Sequence, residues 1–178
     1  SEMCIRDRNR IATLKNNLNV DMDLSVPSGL TLSDFKTVLS NNLSDKNKIF
    51  EQSAEYFYKA EQKYKVNGIF LASIGIHESA WGTSKIANDK NNLFGFTAYD
   101  SDPYNSATSF DNYENAINKV AEVLSTKYLH VAGTKISDEL TATGTYFNGT
   151  SAKSVNVRYA SDTGWADKVF NYMQYLYN

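Results

Sequence analysis

Apolar residues recur at helical spacing along most of the chain, and this pattern predicts a mainly helical protein. The first such stretch runs from Thr31 to Asn42, with Thr31 or Ser33 as the expected N-cap. The next begins at Asp45 and keeps its apolar residues on one face as far as Val66. We therefore expect one short helix followed by one long amphipathic helix.

The stretch from Ile69 to Ala80 is apolar on nearly every side, which is typical of a buried helix. It carries Glu78 near its C-terminal end, and Trp81-Gly82 is expected to stop it. This stretch is the predicted central helix of the fold.

Two more helices are predicted towards the C terminus. Asp111 and Glu114 form a capping-box pattern at the start of the first, and Asp162 or Thr163 is the expected N-cap of the second. The stretch 130–159 between them is less periodic, and we expect loops around one short helix there. The apolar faces consist of Ile117, Val120, Ala121, Leu124 and Tyr128 in the first helix and of Trp165, Val169, Tyr172, Met173 and Leu176 in the second.

Residues 91–110 follow a different pattern, because aromatic and β-branched residues flank the turn-rich segment 100–105. This pattern predicts a small β-hairpin lobe. The expected fold class is therefore mainly α (α+β), with a helical lobe and a small β-hairpin lobe.

Composition narrows the possible functions. With 42% hydrophobic residues and a net charge of −2 over 178 residues, the chain is a globular domain and lacks the basic footprint of a nucleic-acid binder. The longest apolar stretch, 68–76, is too short to span a membrane. Cys4 is the one cysteine, so neither an internal disulfide nor a cysteine-based zinc site is expected.

The N-terminal ten residues differ in composition from the rest. Three of the four arginines, Arg6, Arg8 and Arg10, lie there, and only Arg158 occurs later. We interpret 1–10 as a non-native or disordered N-terminus, such as a tag or a sequence-assembly scar; a natural frayed terminus is the alternative. Residues 11–30 are then an N-terminal extension, and 31–178 form the functional domain.

Few catalytic chemistries fit the available residues. His77-Glu78 lacks the second histidine of H-E-x-x-H, because position 81 is Trp, and no serine or cysteine triad has credible members. Glu78 is the remaining candidate for catalysis, since it lies near the C-terminal end of the most apolar predicted helix. Apolar surroundings favour the protonated carboxyl that a general acid needs. Each candidate also has a purely structural interpretation: Glu78 as a solvated surface residue, Asn92 as a turn former, and Phe94 and Phe96 as core residues of the hairpin.

The segment 76–96, IHESAWGTSKIANDKNNLFGF, resembles the peptidoglycan N-acetylglucosaminidases of glycoside hydrolase family 73, found in autolysins and phage endolysins. The segments YDSDP at 99–103, SATSF at 106–110, RYASD at 158–162 and WADKV at 165–169 extend the resemblance to about 31–177. It implies a lysozyme-like fold in which the helical lobe and the β-hairpin lobe flank a glycan-binding groove.

The resemblance also implies roles for individual residues. The family's catalytic acid falls on Glu78, and the tyrosine of its Y-A-x-D segment falls on Tyr159. Its second carboxylate lies on the β-lobe, where this chain offers Asp100 or Asp102, and we prefer these to Glu114, the expected capping partner of Asp111. The residues expected to bind substrate are Trp81, Asn92, Phe94, Phe96 and Tyr99.

The implied function is an endo-β-N-acetylglucosaminidase that cuts the β-1,4 bond between N-acetylglucosamine and N-acetylmuramic acid. The expected partner is the glycan strand of bacterial peptidoglycan, with no nucleic acid, no membrane, no metal and no cofactor. We expect a monomer that acts outside the cell or at the cell wall, or is delivered by a phage. The alternatives are a lytic transglycosylase and a catalytically silent glycan-binding module.

Overall fold

The structure, a computed structural model, describes residues 5–98 and 101–178. Most of these residues are helical, and the strands form a two-stranded antiparallel sheet. Among the described residues, no helix is long and apolar enough to cross a membrane. In chain order the elements are α1 Ile5–Asn16, α2 Leu32–Val38, α3 Ile49–Gln52, α4 Ala54–Tyr64, α5 Gly68–Ser79, α6 Lys85–Lys90, α7 Pro103–Ser106, α8 Tyr113–Val123, a π-helical segment Leu124–Leu129, β1 Lys135–Ser137, β2 Leu140–Thr141, α9 Ala152–Tyr159 and α10 Trp165–Leu176.

The predicted buried helix is confirmed as α5, which lies between α4 and α10. Its first turn is capped by Asn67, whose side-chain oxygen accepts hydrogen bonds of 2.9 Å from the backbone N–H groups of Ile69 and Phe70. It ends at Ala80, which adopts the left-handed conformation that terminates many helices. Because both ends are fixed, α5 delivers Glu78 at a defined point on the surface.

The predicted helix after Thr31 is also confirmed, with Thr31 as its N-cap and Asp34 as the capping-box partner. Asp34 is buried and forms an ion pair with Arg10 of α1. Helix α1 runs without a break across residue 10, and its Ile11 belongs to the hydrophobic core. The change of composition near residue 10 therefore does not coincide with the end of a structural element.

The single long helix predicted from Asp45 to Val66 is wrong, because two helices, α3 and α4, occupy this stretch and meet at Ser53. Asp45 lies ahead of both. Its buried carboxylate accepts hydrogen bonds from the backbone N–H groups of Phe50 and Glu51, so it caps a helix that starts four residues later. A continuous apolar face did not reveal the break, since both helices turn that face to the same core.

The β-hairpin forms at a different place from the predicted one. Within the described part of 91–110 there is no strand, and Pro103 instead opens the short helix α7. The hairpin joins β1 and β2, where Ser137 pairs with Leu140. The hairpin predicted at 91–110 is therefore wrong for the described residues, because a loop organised by side-chain hydrogen bonds carries the same aromatic and β-branched residues.

Two predicted helix starts shift along the chain. The N-cap of α8 is Asn112, whose side chain accepts from the N–H of Asn115, so the capping box of Asp111 with Glu114 does not form. The N-cap of α10 is Gly164 and neither Asp162 nor Thr163. The faces themselves are as predicted: every predicted core residue of α8, its π-helical continuation and α10 is buried except Tyr172, which is half-buried.

Candidate active site

Glu78 lies in the last turn of α5 and is solvent-exposed, unlike most of that helix. Its Oε1 accepts a hydrogen bond of 2.9 Å from the indole N–H of Trp165, at the start of α10. Trp165 is only 1% exposed, and its ring packs edge-on against Phe70 at 6.1 Å. A fixed donor therefore holds an accessible carboxyl group in one orientation.

The second oxygen of the same carboxyl group lies near the loop that follows α6. A Cβ added at Gly95 would lie 3.8 Å from Oε2 of Glu78, and Gly95 has a φ of +60°. The backbone at this position thus approaches the carboxyl group without placing a side chain there. Oε2 is the oxygen left to face a ligand, because Oε1 is engaged by the indole of Trp165.

Tyr159, at the end of α9, lies beside these residues. Its ring centroid is 5.1 Å from that of Trp165 and 5.4 Å from that of Tyr128. Burial first, and then the negative charge of Glu78, raise the pKa of the Tyr159 hydroxyl far above its usual value. The hydroxyl therefore stays protonated at neutral pH and is a hydrogen-bond donor. We refer to Glu78, Gly95, Tyr159 and Trp165 as the Glu78 cluster.

Asn92 shapes the loop that approaches Glu78. It is 1% exposed, and its amide donates to the backbone oxygens of Phe96 and Thr108 at 2.9 and 3.0 Å. Its side-chain oxygen accepts from the N–H groups of Phe94 and Phe96 at 3.2 and 3.0 Å. Because all of these bonds are internal, Asn92 lies beneath the site and holds the loop in shape.

The two phenylalanines predicted to line a groove differ in position. Phe94 is 3% exposed and packs against α5 beside Gly75, so its ring is part of the core. Phe96 is half-buried, with its ring 6.2 Å from that of Phe110. Of the two, Phe96 is the one with surface available to a ligand.

Trp81 follows Ala80, the C-cap of α5, and its ring packs on aromatic rings outside the Glu78 cluster. Its ring makes edge-on contacts with Phe50, Tyr172 and Tyr175 at 5.8 to 6.1 Å. It is half-buried, so it joins the end of α5 to α10 while keeping part of its ring accessible.

Among the candidates for the second carboxylate, Asp102 is exposed and precedes α7, and its Oδ2 accepts from the side-chain amide of Asn105 at 2.9 Å. Helix α7 is tied to α6, because the Lys90 ammonium donates to the backbone oxygens of Tyr104 and Ala107. Asp100, together with the predicted substrate-binding residue Tyr99, lies outside the described residues. Glu114 is half-buried on α8.

Sequence reasoning missed two members of the Glu78 cluster. Trp165 was expected only as a core residue of the last helix, which it also is, and Gly95 was not singled out. Spacing in the sequence contains no sign of the Trp165–Glu78 bond, since it joins residues 87 positions apart.

A cleft of about 1330 Å³ lies elsewhere in the described structure. Its walls come from α1, α2, the α3–α4 region and the C-terminal residues, so it does not include the Glu78 cluster. The chemistry of the Glu78 cluster, and not the volume of this cleft, therefore identifies the candidate site.

Comparison with known proteins agrees with this assignment. The family model Glucosaminidase, described as mannosyl-glycoprotein endo-beta-N-acetylglucosaminidase, matches residues 54–178. This chain belongs to the Glucosaminidase family. The matched range contains α4 to α10 and thus the whole Glu78 cluster.

Similar Glucosaminidase proteins occur in bacteria. A Streptococcus pneumoniae protein assigned as an endo-beta-N-acetylglucosaminidase is 34% identical over 151 residues, which are 85% of this chain and 21% of that protein. A Bacillus subtilis beta-N-acetylglucosaminidase is 28% identical over 170 residues, covering 88% of this chain and 18% of the relative. The chain thus spans about a fifth of the length of these relatives.

Solved structures show the same fold. The crystal structure of S. aureus autolysin E in complex with a muropeptide superposes with a TM-score of 0.59, at 25% identity, over 95% of this chain and 77% of that one. S. aureus glucosaminidase B superposes with a TM-score of 0.56 at 18% identity, over 99% of this chain and 75% of that one. The fold of this Glucosaminidase domain is therefore the lysozyme-like fold of the autolysins.

Proposed function

We propose that this chain is an endo-β-N-acetylglucosaminidase that cleaves the β-1,4 bond between N-acetylglucosamine and N-acetylmuramic acid in peptidoglycan. The observation that carries the proposal is the carboxyl group of Glu78, accessible to solvent and oriented by the buried indole of Trp165. Glycosidases need such a group to protonate the oxygen of the leaving sugar.

The relatives support this choice of substrate. The S. pneumoniae and B. subtilis proteins carry glucosaminidase names, and the S. aureus autolysin E structure holds a muropeptide. In this chain Glu78 is the general acid, with Oε2 facing the glycosidic oxygen. Tyr159, protonated at neutral pH, donates a hydrogen bond at the reacting sugar.

The remaining predicted residues have supporting roles. Phe96 offers an apolar surface to the glycan, and Trp81 stays a predicted contact through the accessible part of its ring. Asn92 and Phe94 act indirectly, because they hold the loop that carries Gly95 and Phe96 against α5. Tyr99 remains a predicted contact to the sugar.

The second catalytic group is Asp102 or Asp100, both on the segment between Phe96 and α7. A carboxylate about 6.5–9.5 Å from the acid acts as a base with inversion, and one about 5–5.5 Å away acts as a nucleophile with retention. Asp102→Asn and Asp100→Asn, assayed with the anomeric configuration of the product, separate these roles. Full activity of both variants would leave the acetamido group of the substrate as the nucleophile.

The deciding experiment is muropeptide analysis of purified peptidoglycan treated with the wild type, Glu78→Gln and Glu114→Gln. We expect new reducing N-acetylglucosamine ends from the wild type and from Glu114→Gln, which removes a carboxylate outside the site. Glu78→Gln should release none while keeping the wild-type melting temperature. Activity of Glu78→Gln close to wild type would refute the proposal.

The same experiment tests two other functions. Anhydro ends in place of reducing ends would indicate a lytic transglycosylase. Binding of peptidoglycan without release of any fragment would indicate a glycan-binding module.

We propose further that the chain acts as a monomer at the bacterial cell wall or outside the cell, or when delivered by a phage, because its substrate lies there.

A further inference from the structure

A row of four aromatic rings leads from Glu78 to the protein surface. Trp165, which binds Glu78, packs on Tyr159 at 5.1 Å, Tyr159 packs on Tyr128 at 5.4 Å, and Tyr128 packs on Tyr146 at 5.1 Å. Trp165 is 1% exposed, Tyr159 is half-buried, Tyr128 is 9% exposed, and Tyr146 at the end of the row is 38% exposed. The row therefore starts at the catalytic acid and ends in solvent.

Backbone hydrogen bonds hold the segment around Tyr146 in place. Its N–H donates to the backbone oxygen of Lys127 at 2.8 Å, and the N–H groups of Thr143 and Gly144 both donate to the oxygen of Thr126 at 2.9 Å. The loop before α9 is thus bonded to the π-helical segment that carries Tyr128. The ring of Tyr146 covers one side of Tyr128 and leaves its own outer side open to solvent.

An exposed ring in this position suits a sugar. Tyrosine combines an apolar face, on which the C–H groups of a sugar pack, with a hydroxyl that remains in water or bonds to the ligand. The function proposed above places the scissile bond at Glu78, so a glycan that continues past Tyr159 would reach Tyr146.

We propose that Tyr146 is a distal stacking subsite for the glycan strand of peptidoglycan, connected to the catalytic acid by the rings of Tyr128 and Tyr159. This subsite rests on the function proposed above. It binds a sugar remote from the scissile bond, and it therefore adds affinity only when the strand is long enough to span the row.

The test compares long, peptide-free glycan strands with the shortest oligosaccharide that the wild type cleaves. For Tyr146→Ala we expect KM to rise about tenfold for the long strands, which equals ~1.4 kcal/mol, with kcat unchanged. KM for the short substrate should stay at the wild-type value. Tyr146→Phe should behave like the wild type, because it keeps the ring.

Tyr58→Ala is the matched control, since Tyr58 also packs on another ring, that of Phe35, at 5.8 Å between α2 and α4. It should lower the melting temperature without changing the ratio of the two KM values. If Tyr146→Ala leaves both KM values unchanged, or raises both equally, the ring only covers Tyr128 and the inference is wrong.

Failure of the proposed function would look different, because the wild type would then cleave neither substrate. Binding of the long strands to Glu78→Gln and to the double variant Glu78→Gln with Tyr146→Ala, measured by calorimetry, tests the subsite without catalysis. Equal affinities of these two proteins would also overturn the inference.

Discussion

Trp165 donates its indole N–H to Oε1 of Glu78 across 2.9 Å, and so ties the start of the last helix to the end of the central one. The donor side is fully packed, whereas the acceptor side is exposed. Since an indole nitrogen can only donate, the bond fixes which oxygen of the carboxyl group faces inward. Packing of the core thereby determines the orientation of the proposed catalytic acid.

Replacing Trp165 by Phe should therefore reduce turnover more than substrate binding. The variant keeps an aromatic ring but loses the hydrogen bond, so the Glu78 carboxyl group samples other orientations. We expect kcat to fall about 10- to 100-fold with KM within about twofold of wild type, as determined from initial rates on peptidoglycan fragments.

Phe70→Leu is the control for this variant, because Phe70 packs on the same indole but lies deep in α5. It should cost about 1–2 kcal/mol of unfolding free energy and leave kcat near the wild-type value in the folded protein. Equal losses of kcat in both variants would show that Trp165 acts through stability alone.

Gly95→Ala should reduce activity by placing a methyl group near Oε2 of Glu78, where the added Cβ would lie 3.8 Å away. Gly29→Ala is its matched control, since Gly29 also has a positive φ, +85°, but nothing within 4 Å of the added Cβ. Both variants should lose about 1–2 kcal/mol of stability, measured by urea unfolding. Only Gly95→Ala should lower kcat/KM, and an equal loss in Gly29→Ala would contradict this explanation.

Glu61 should make stability depend on pH. Its side chain is fully buried between the loop at Ser28 and the start of α5, and it accepts backbone N–H bonds of 2.8 Å from Ser28 and Gly68. Burial raises the pKa of this carboxyl, and the hydrogen bonds offset only part of the effect. A raised pKa means that the folded protein binds the proton more tightly than the unfolded chain does.

The contribution of Glu61 to stability is then fully present below the pKa of the unfolded chain, about 4.3, and is lost as pH rises through the folded pKa. Urea unfolding of the wild type and Glu61→Gln between pH 4 and 7 measures this contribution. We expect the wild type to lose stability relative to Glu61→Gln as pH rises. If the difference in free energy of unfolding between the two proteins were constant with pH, the raised pKa assigned to Glu61 would be contradicted.

Glu55→Gln provides a comparison of opposite sign. Glu55 is exposed, and the hydrogen bond from Lys59 lowers the pKa of its carboxyl. Its contribution is present above the unfolded pKa and is lost as pH falls through the folded pKa. The free energy of unfolding of the wild type should therefore increase slightly relative to that of Glu55→Gln as pH rises. Added salt should remove this increase.

The helices that pack in the core could be predicted from the sequence, because their patterns are local. The uninterrupted apolar run of α5 predicts a helix surrounded by protein, and the spacing of Phe35 and Leu39 or of Trp165 and Val169 predicts a helix with one buried face. Helix ends were predicted less well. Asp45 and Asp162 have the side chains of N-caps, but neither is the N-cap residue of the helix that follows. The carboxylate of Asp45 accepts from the N–H of Glu51, and that of Asp162 accepts from the N–H of Gly164.

The sequence by itself determined that the chain is mainly helical, that α5 is buried, and that Glu78 is the candidate acid, since each of these follows from residues close together in the chain. Only the tertiary structure decided where the hairpin lies and which residues surround Glu78. The bond from Trp165, the approach of Gly95 and the contact with Tyr159 all depend on how α9, α10 and the Asn92 loop pack against α5. Packing joins residues far apart in the sequence, and periodicity within one element contains no information about it.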